Sequence, residues 1–289
     1  MSKDDKMIKD LQRLIESQDF KSKEELDQFL SSLAGSPIPE LPDEVLSEAE
    51  KAENLVYQAY GEDIEEGLKL VNDALELDKD CIEAYLFLSE LQLFPEIRRI
   101  FLEKAIHVGW EKFGGQYLED HKGHFYGLTE TRAFMKALMF MAALEELADN
   151  VEGAVEIYEK ILELNHNDNM GARTPLFSYL IELEEWDKFK KYDAMFSEEE
   201  SAQMLFDRAL FTFLTQGENL EAKKLLQRGI KANKNVPRIL LKSIFIHDLP
   251  SNFILGDKSE AEYYCYYSQD NWRSNPGALK WLRKVDKGL

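Results

Sequence analysis

Cysteine is scarce in this chain. Cys81 and Cys265 are the only two, they lie far apart, and no CxxC pair exists. Neither a disulfide framework nor a cysteine metal site is available. Long apolar runs are missing as well: nothing approaches the ~20 residues that a membrane-spanning helix needs. Bases are outnumbered, with 35 Lys and Arg against 55 Asp and Glu and a formal net charge of -20. Wholesale binding to nucleic acid or to an anionic bilayer calls for a basic face, so neither is expected. Sustained apolar/polar alternation is absent, which excludes an evident β-sheet. The opening MSKDDKMIKDLQ carries charges where a secretory signal would have its apolar stretch. A reducing, cytoplasmic setting is therefore expected.

What is present is helix-forming and rich enough to fold. Hydrophobic residues make up 44% and aromatics 11%, well above the composition of a disordered chain. Leu11, Leu14 and Ile15 recur at helical spacing. Ser22 stands three residues before Glu25, a capping-box pattern, and Leu26, Phe29, Leu30 and Leu33 then form one stripe. Residues 1–34 thus predict a helical hairpin. Of only 8 prolines, Pro37, Pro39 and Pro42 crowd into GSPIPELPD, so residues 35–46 predict an extended, semi-rigid linker. A new helix is expected near Ser47, with Glu50 again in the capping-box position.

From Ser47 onward the helical pattern repeats. Ala154, Tyr158 and Ile161 place a small, an aromatic and a branched residue at successive turns. Two periods of about 34 residues later the same slots hold Ala222, Leu226 and Gly229. Lys188, Tyr192 and Met195 fill them less faithfully between. Upstream, Gly67, Val71 and Ala74 do so, followed by Tyr85, Leu88 and Ser89 of the next first helix. Small residues let antiparallel helices approach, and each pair leaves an apolar face for the next pair to cover. Gly67 to Ala154 is about 19 residues longer than two periods. The surplus falls near 109–131, in GWEKFGGQYLEDHKGHFYGLTETR, and predicts an insertion whose GHFYGLTETR end repairs the seam before an apolar helix.

These slots, over about residues 47–240, resemble the tetratricopeptide-repeat superfamily. A closer resemblance runs over residues 123–282. GHFYGLTETRAFMKA, NKNVPRILL and GDKSEAEYYCYYSQDNWRSNPGALKWL are similar to the suppressor of tumorigenicity seven family and its bacterial tetratricopeptide relatives. The pairs Gly256-Asp257 and Glu260-Ala261, then Trp272 and Gly277-Ala278-Leu279, carry most of it. The chain lacks the membrane segments of the eukaryotic members. The resemblance implies a helical-repeat fold and no catalytic residues. The fold class expected is all-α: a right-handed solenoid of tetratricopeptide-like helical hairpins over residues 47–289, with a small N-terminal helical appendage and C-terminal capping helices.

Candidate sites each have a plain structural counterpart. His107, His121 and His124, with Glu119 and Asp120 nearby, lack the compact spacing of a zinc set, and no HExxH occurs. No metal or other cofactor is expected. His124 and Phe125 instead predict a packed entry to the next helix, with Thr129 or Thr131 as its cap. Arg132 suits a partner carboxylate or phosphate, or an internal pair with Glu130. Asn165, Asn167, Asp168 and Asn169 predict turns and caps rather than a calcium loop. The tyrosine-dense EYYCYYSQDNW follows an apparent Ser259–Glu262 capping box, with Ala261, Tyr264, Cys265 and Ser268 suited to an inward face. Asn275-Pro276 has the form of a helix start. Ten acids and one base, Lys51, fall between Glu40 and Glu66, and seven bases with no acid between Lys223 and Lys242. Such runs are solvated faces or partner-steering patches.

The expected function is a non-enzymatic scaffold that holds a peptide or protein partner on the concave face. His124, Arg132, Lys136, Phe140, Tyr179, Phe206 and Phe213 are its candidate binding residues. The alternative is an enzyme or ligand sensor with a pocket under the 109–131 insertion that uses His124, Glu130 and Arg132.

Overall fold

The computed structural model describes residues 3–34, 38, 43–242 and 245–288. Pro37, Pro39 and Pro42 of the expected linker lie outside the described residues. Those residues form α1 (Lys3–Glu16), α2 (Lys23–Leu33), α3 (Glu48–Ala59), α4 (Ile64–Leu77), α5 (Ile82–Glu90), α6 (Pro95–Phe113), α7 (Gly115–His121) and α8 (Arg132–Leu147). The remainder are α9 (Val151–Leu164), α10 (Arg173–Glu182), α11 (Trp186–Met195), α12 (Ala202–Gln216), α13 (Leu220–Ala232), α14 (Asn235–Leu240), α15 (Lys258–Arg273) and α16 (Pro276–Asp286). The fold is all-α: among the described residues there is no strand, and the β-type pairing is one isolated bridge between His124 and Asn165. None of the described helices is long and apolar enough to cross a membrane. The chain divides into two compact units, Met1–Asn150 with Glu163–Asn167, and Val151–Leu162 with Asp168–Leu289.

In the first unit, α3 packs along α4, α5 along α6, and α6 against α8. Local chemistry sets the starts of these helices. Ser47 and Glu50 form the reciprocal capping box at α3, and the Asp63 side chain accepts from the Glu66 amide at α4. Gly67, Val71 and Ala74 turn inward on α4, and Val71 and Ala74 join Ala52, Val56, Ala59, Cys81, Ala84 and Phe87 in one core. A Cβ on Gly67 would stand 3.0 Å from the Phe87 ring, so glycine leaves room for that ring between α4 and α5.

The lead-in to α8 is tied at both ends. Gly123 has a left-handed φ of 86°, accepts from the His166 amide at 2.9 Å, and has the His166 ring 2.5 Å from where its Cβ would be. Phe125 is fully buried amid Phe113, Tyr117 and Phe134. Phe134 in turn packs flat on Gly109, where any Cβ would overlap its ring. The expected cap is corrected here. Thr131 precedes α8, but its side chain makes no cap bond; the hydroxyl donates backward to the Phe125 and Leu128 carbonyls and locks the turn instead.

In the second unit, α12 packs along α13, α14 against α15, and α10 against α11, α12 and α15. Ser201 caps α12 and Asn219 caps α13. Ala222, Leu226 and Gly229 face inward as the repeat pattern predicts, with the Phe206 ring 3.2 Å from the Cβ position of Gly229. Along α11 the middle predicted slot, Tyr192, is filled as expected, but those at Lys188 and Met195 are not. Phe189 and Tyr192 are buried there, whereas Lys188 reaches out to Glu159 at 2.8 Å and Met195 is 42% exposed. Asp168, at φ 49°, accepts from the Ala172 and Arg173 amides at the entry to α10, which is the capping role expected of that turn.

The inward face of α15 holds Ala261, Tyr264, Cys265 and Ser268, all buried. Its start differs from expectation. Asp257, not Ser259, occupies the N-cap position, and the Ser259 hydroxyl accepts from the Ile254 amide at 3.1 Å. Pro276 does open α16 after Asn275, yet the Asn275 amide donates back to the Asn271 carbonyl rather than capping.

Candidate interaction face

A buried polar cluster in the first unit joins its first helix to two others. Lys9 and Arg13 stand one turn apart on α1 and share a face. Glu50, Glu53 and Asn54 recur at turn spacing on α3, and Glu83 lies in the first turn of α5. The Lys9 ammonium lies 2.8 Å from Glu83 and 3.0 Å from Glu53. The Arg13 guanidinium spans Glu50 at 3.0 Å, Glu53 at 2.7 Å and the Asn54 side-chain oxygen at 3.1 Å. Between them, the Gln12 oxygen accepts from the Thr129 hydroxyl at 2.5 Å.

Burial decides what this cluster is worth. Lys9 is 6% exposed and Glu83 4%, so the pair is removed from water and is no ordinary surface salt bridge. Burial opposes a charge on Lys9, but Glu83 and Glu53 outweigh it and hold its pKa above the usual lysine value. Two carboxylates facing one another in such a place repel unless a cation stands between them. Removing one member of a buried ion cluster costs ~3–5 kcal/mol, because the others remain dry and unpaired. The face that α3 and α5 present is therefore a carboxylate cradle. It fits a helix with two cations at i and i+4.

The predicted binding residues are distributed between the units. In the first, His124 is exposed on the turn before α8 and does not pack under the helix with Phe125. The Arg132 Nε donates to the Tyr126 carbonyl at 3.1 Å, with the guanidinium over the Tyr126 ring. Glu130 accepts from the Tyr117 hydroxyl at 3.0 Å, so Glu130 and Arg132 each have a tyrosine-based anchor. Lys136 and Phe140 are half-buried on α8, and the Arg98 guanidinium lies 5.8 Å from the Phe140 ring centre.

In the second unit, Tyr179 meets Tyr267 edge-on, and Phe213 stacks on Trp281 at 4.8 Å. Phe206 is a core residue with no exposed surface; it packs on Tyr264 and Trp272 and lines no open face. Among the described residues, no group of three His, Cys, Asp or Glu side chains is placed to hold a metal ion. His107 is exposed, and His121 rests on the Tyr117 ring at 4.5 Å.

Sequence inspection overlooked Lys9, Arg13 and Glu83. A signal for the first two was present: both cations lie at i, i+4 on an amphipathic helix, and an acid-dense segment follows from Glu40 to Glu66. Compared with known proteins, the chain matches no family model and no curated protein sequence.

Proposed function

We propose that this chain is a non-enzymatic interaction scaffold. Its helical hairpins are of tetratricopeptide type, arranged as a right-handed solenoid, and akin to the suppressor of tumorigenicity seven family. First-helix faces hold a helical or peptide segment of a partner protein. One observation carries the reading: α3 and α5, the first helices of their hairpins, already hold another helix, α1, whose Lys9 and Arg13 meet Glu50, Glu53 and Glu83. An amphipathic helix laid into a groove is a general mode of recognition. The carboxylates supply the charge complementarity that sets register and partner choice.

In this scheme α1 is a tethered competitor. Tethering gives it an effective concentration of about millimolar, enough to mask micromolar ligands. The test uses the full chain carrying Lys9→Glu and Arg13→Glu, which frees the cradle by repulsion. A labelled peptide of residues 3–16 is titrated against it. Saturable binding is expected, weakened at least tenfold by Glu83→Gln in the same background. Binding that ignores Glu83, or none at all, would refute the proposal.

A further inference from the structure

The second unit contains a cavity of about 470 Å³ between the turn before α10, α12 and the segment leading to α15. Ligand pockets typically enclose about 300–1,000 Å³. Its wall includes Arg173, Thr174, Gln203, Phe253 and Tyr263. Gln203 is 6% exposed. Its Oε1 accepts from the Thr174 hydroxyl at 3.0 Å, while its Nε2 is buried with no hydrogen-bond partner among the described residues. A buried amide donor without an acceptor carries its full desolvation cost, which an acceptor oxygen recovers.

Charge and shape narrow the ligand. Arg173 is the cation of the wall, but its guanidinium already lies 3.5 Å from Asp168 and 3.4 Å from Glu199. Asp168 is itself engaged by the Ala172 and Arg173 amides. The site therefore has no uncompensated positive charge with which to hold an anion. Phe253 and Tyr263 form a tilted ring pair at 4.8 Å, with Phe253 39% exposed, and offer an apolar surface beside the polar floor. We infer that this cavity is a binding site for a small uncharged ligand that carries an amide or ketone oxygen on an apolar body. On binding, the Gln203 side chain swings toward the cavity so that its Nε2 donates to this oxygen, and the body rests on Phe253 and Tyr263. The site belongs wholly to the second unit and does not depend on the role given to α1.

A matched pair of probes tests this on the full chain: 3-phenylpropanamide and 3-phenylpropanoate, equal in body and different in charge. Ligand-observed NMR is expected to show the amide binding saturably with Kd of about 1 mM, an affinity reasonable for about 11 heavy atoms. The carboxylate should bind about tenfold more weakly. Gln203→Leu, which keeps the volume and deletes the donor, should weaken amide binding about tenfold, and Phe253→Ala about fivefold. Equal binding of the two probes, no saturable binding of the amide, or parent-like affinity in a folded Gln203→Leu chain would overturn the inference. Should Gln203→Leu fail to fold, the exposed Phe253 decides: unchanged affinity in Phe253→Ala overturns it, and the expected loss sustains it.

Discussion

Asp207 illustrates how much a single side chain governs in the second unit. It is buried on α12, where its Oδ1 accepts from the Tyr264 hydroxyl at 3.0 Å and the Ser268 hydroxyl at 3.4 Å. Trp272 donates in turn to the Tyr264 oxygen at 2.9 Å. Burial pushes the Asp207 carboxyl up to about 8, against the opposing influence of Tyr264, Ser268 and Arg208. The folded state thus binds this proton more tightly than the unfolded chain. Its contribution to stability is complete below the ordinary aspartate value and is lost as pH rises through about 8. Asp207→Asn keeps the acceptor and cannot ionise. Thermal melts of the two chains are expected to converge or cross at acid pH and to favour the variant at pH 9; a constant offset from pH 5 to 9 would contradict this. Glu260 is similarly structural. Its buried carboxylate accepts from the Asn233 side chain at 2.9 Å and the Gly256 amide at 2.7 Å, so the Gly256–Ala261 motif closes a loop. Trp272 and Ala278 are core residues.

At the scale of elements, the segment from Gly123 to Thr131 answers why α8 has so particular an entry. Its conformation depends on a left-handed Gly123 and on the burial of Phe125, while His124 points to solvent. Gly123→Val is therefore expected to cost about 1–3 kcal/mol, from positive φ and from the clash with His166. His124→Ala should stay within ~0.5 kcal/mol. Differential scanning calorimetry distinguishes the two, and equal melting temperatures would remove the segment's architectural role. The elements most legible from sequence were those whose chemistry is local. Ser47 with Glu50, Gly67 against its neighbours, and the inward side of α15 all follow from spacing alone. Ser259 was misread because Asp257 and Glu260 fix the start of α15 through contacts with Asn233, a residue no local pattern connects to them. Of the slots on α11, Tyr192 held, but Lys188 did not because it pairs with Glu159, and a repeat frame cannot register a long side chain bending out of its slot.

At the scale of the whole molecule, the all-helical class was readable because apolar periodicity is a property of the chain itself. The carboxylate cradle was not, because a charged side chain looks solvated until its partners are known. Lys9 and Arg13 lie far in sequence from Glu53 and Glu83, and only folding within the first unit brings them together. In the proposed scheme α1 occupies this face as a displaceable ligand. Lys9 and Leu14 are its buried side chains, one ionic and one apolar, while its apolar Met7 and Ile8 remain exposed. Charges that separate regain water, so opening α1 should require less free energy than unfolding the core beneath it. Native-state hydrogen exchange of the intact chain measures this directly. A displaceable α1 should have amides that exchange at least tenfold faster than those of α3 and α5, and faster still between 0.05 and 0.5 M salt as screening strengthens, with α3 and α5 unmoved. Protection of α1 equal to that of α3 and α5, and indifferent to salt, would show that it opens only with global unfolding and would contradict the claim.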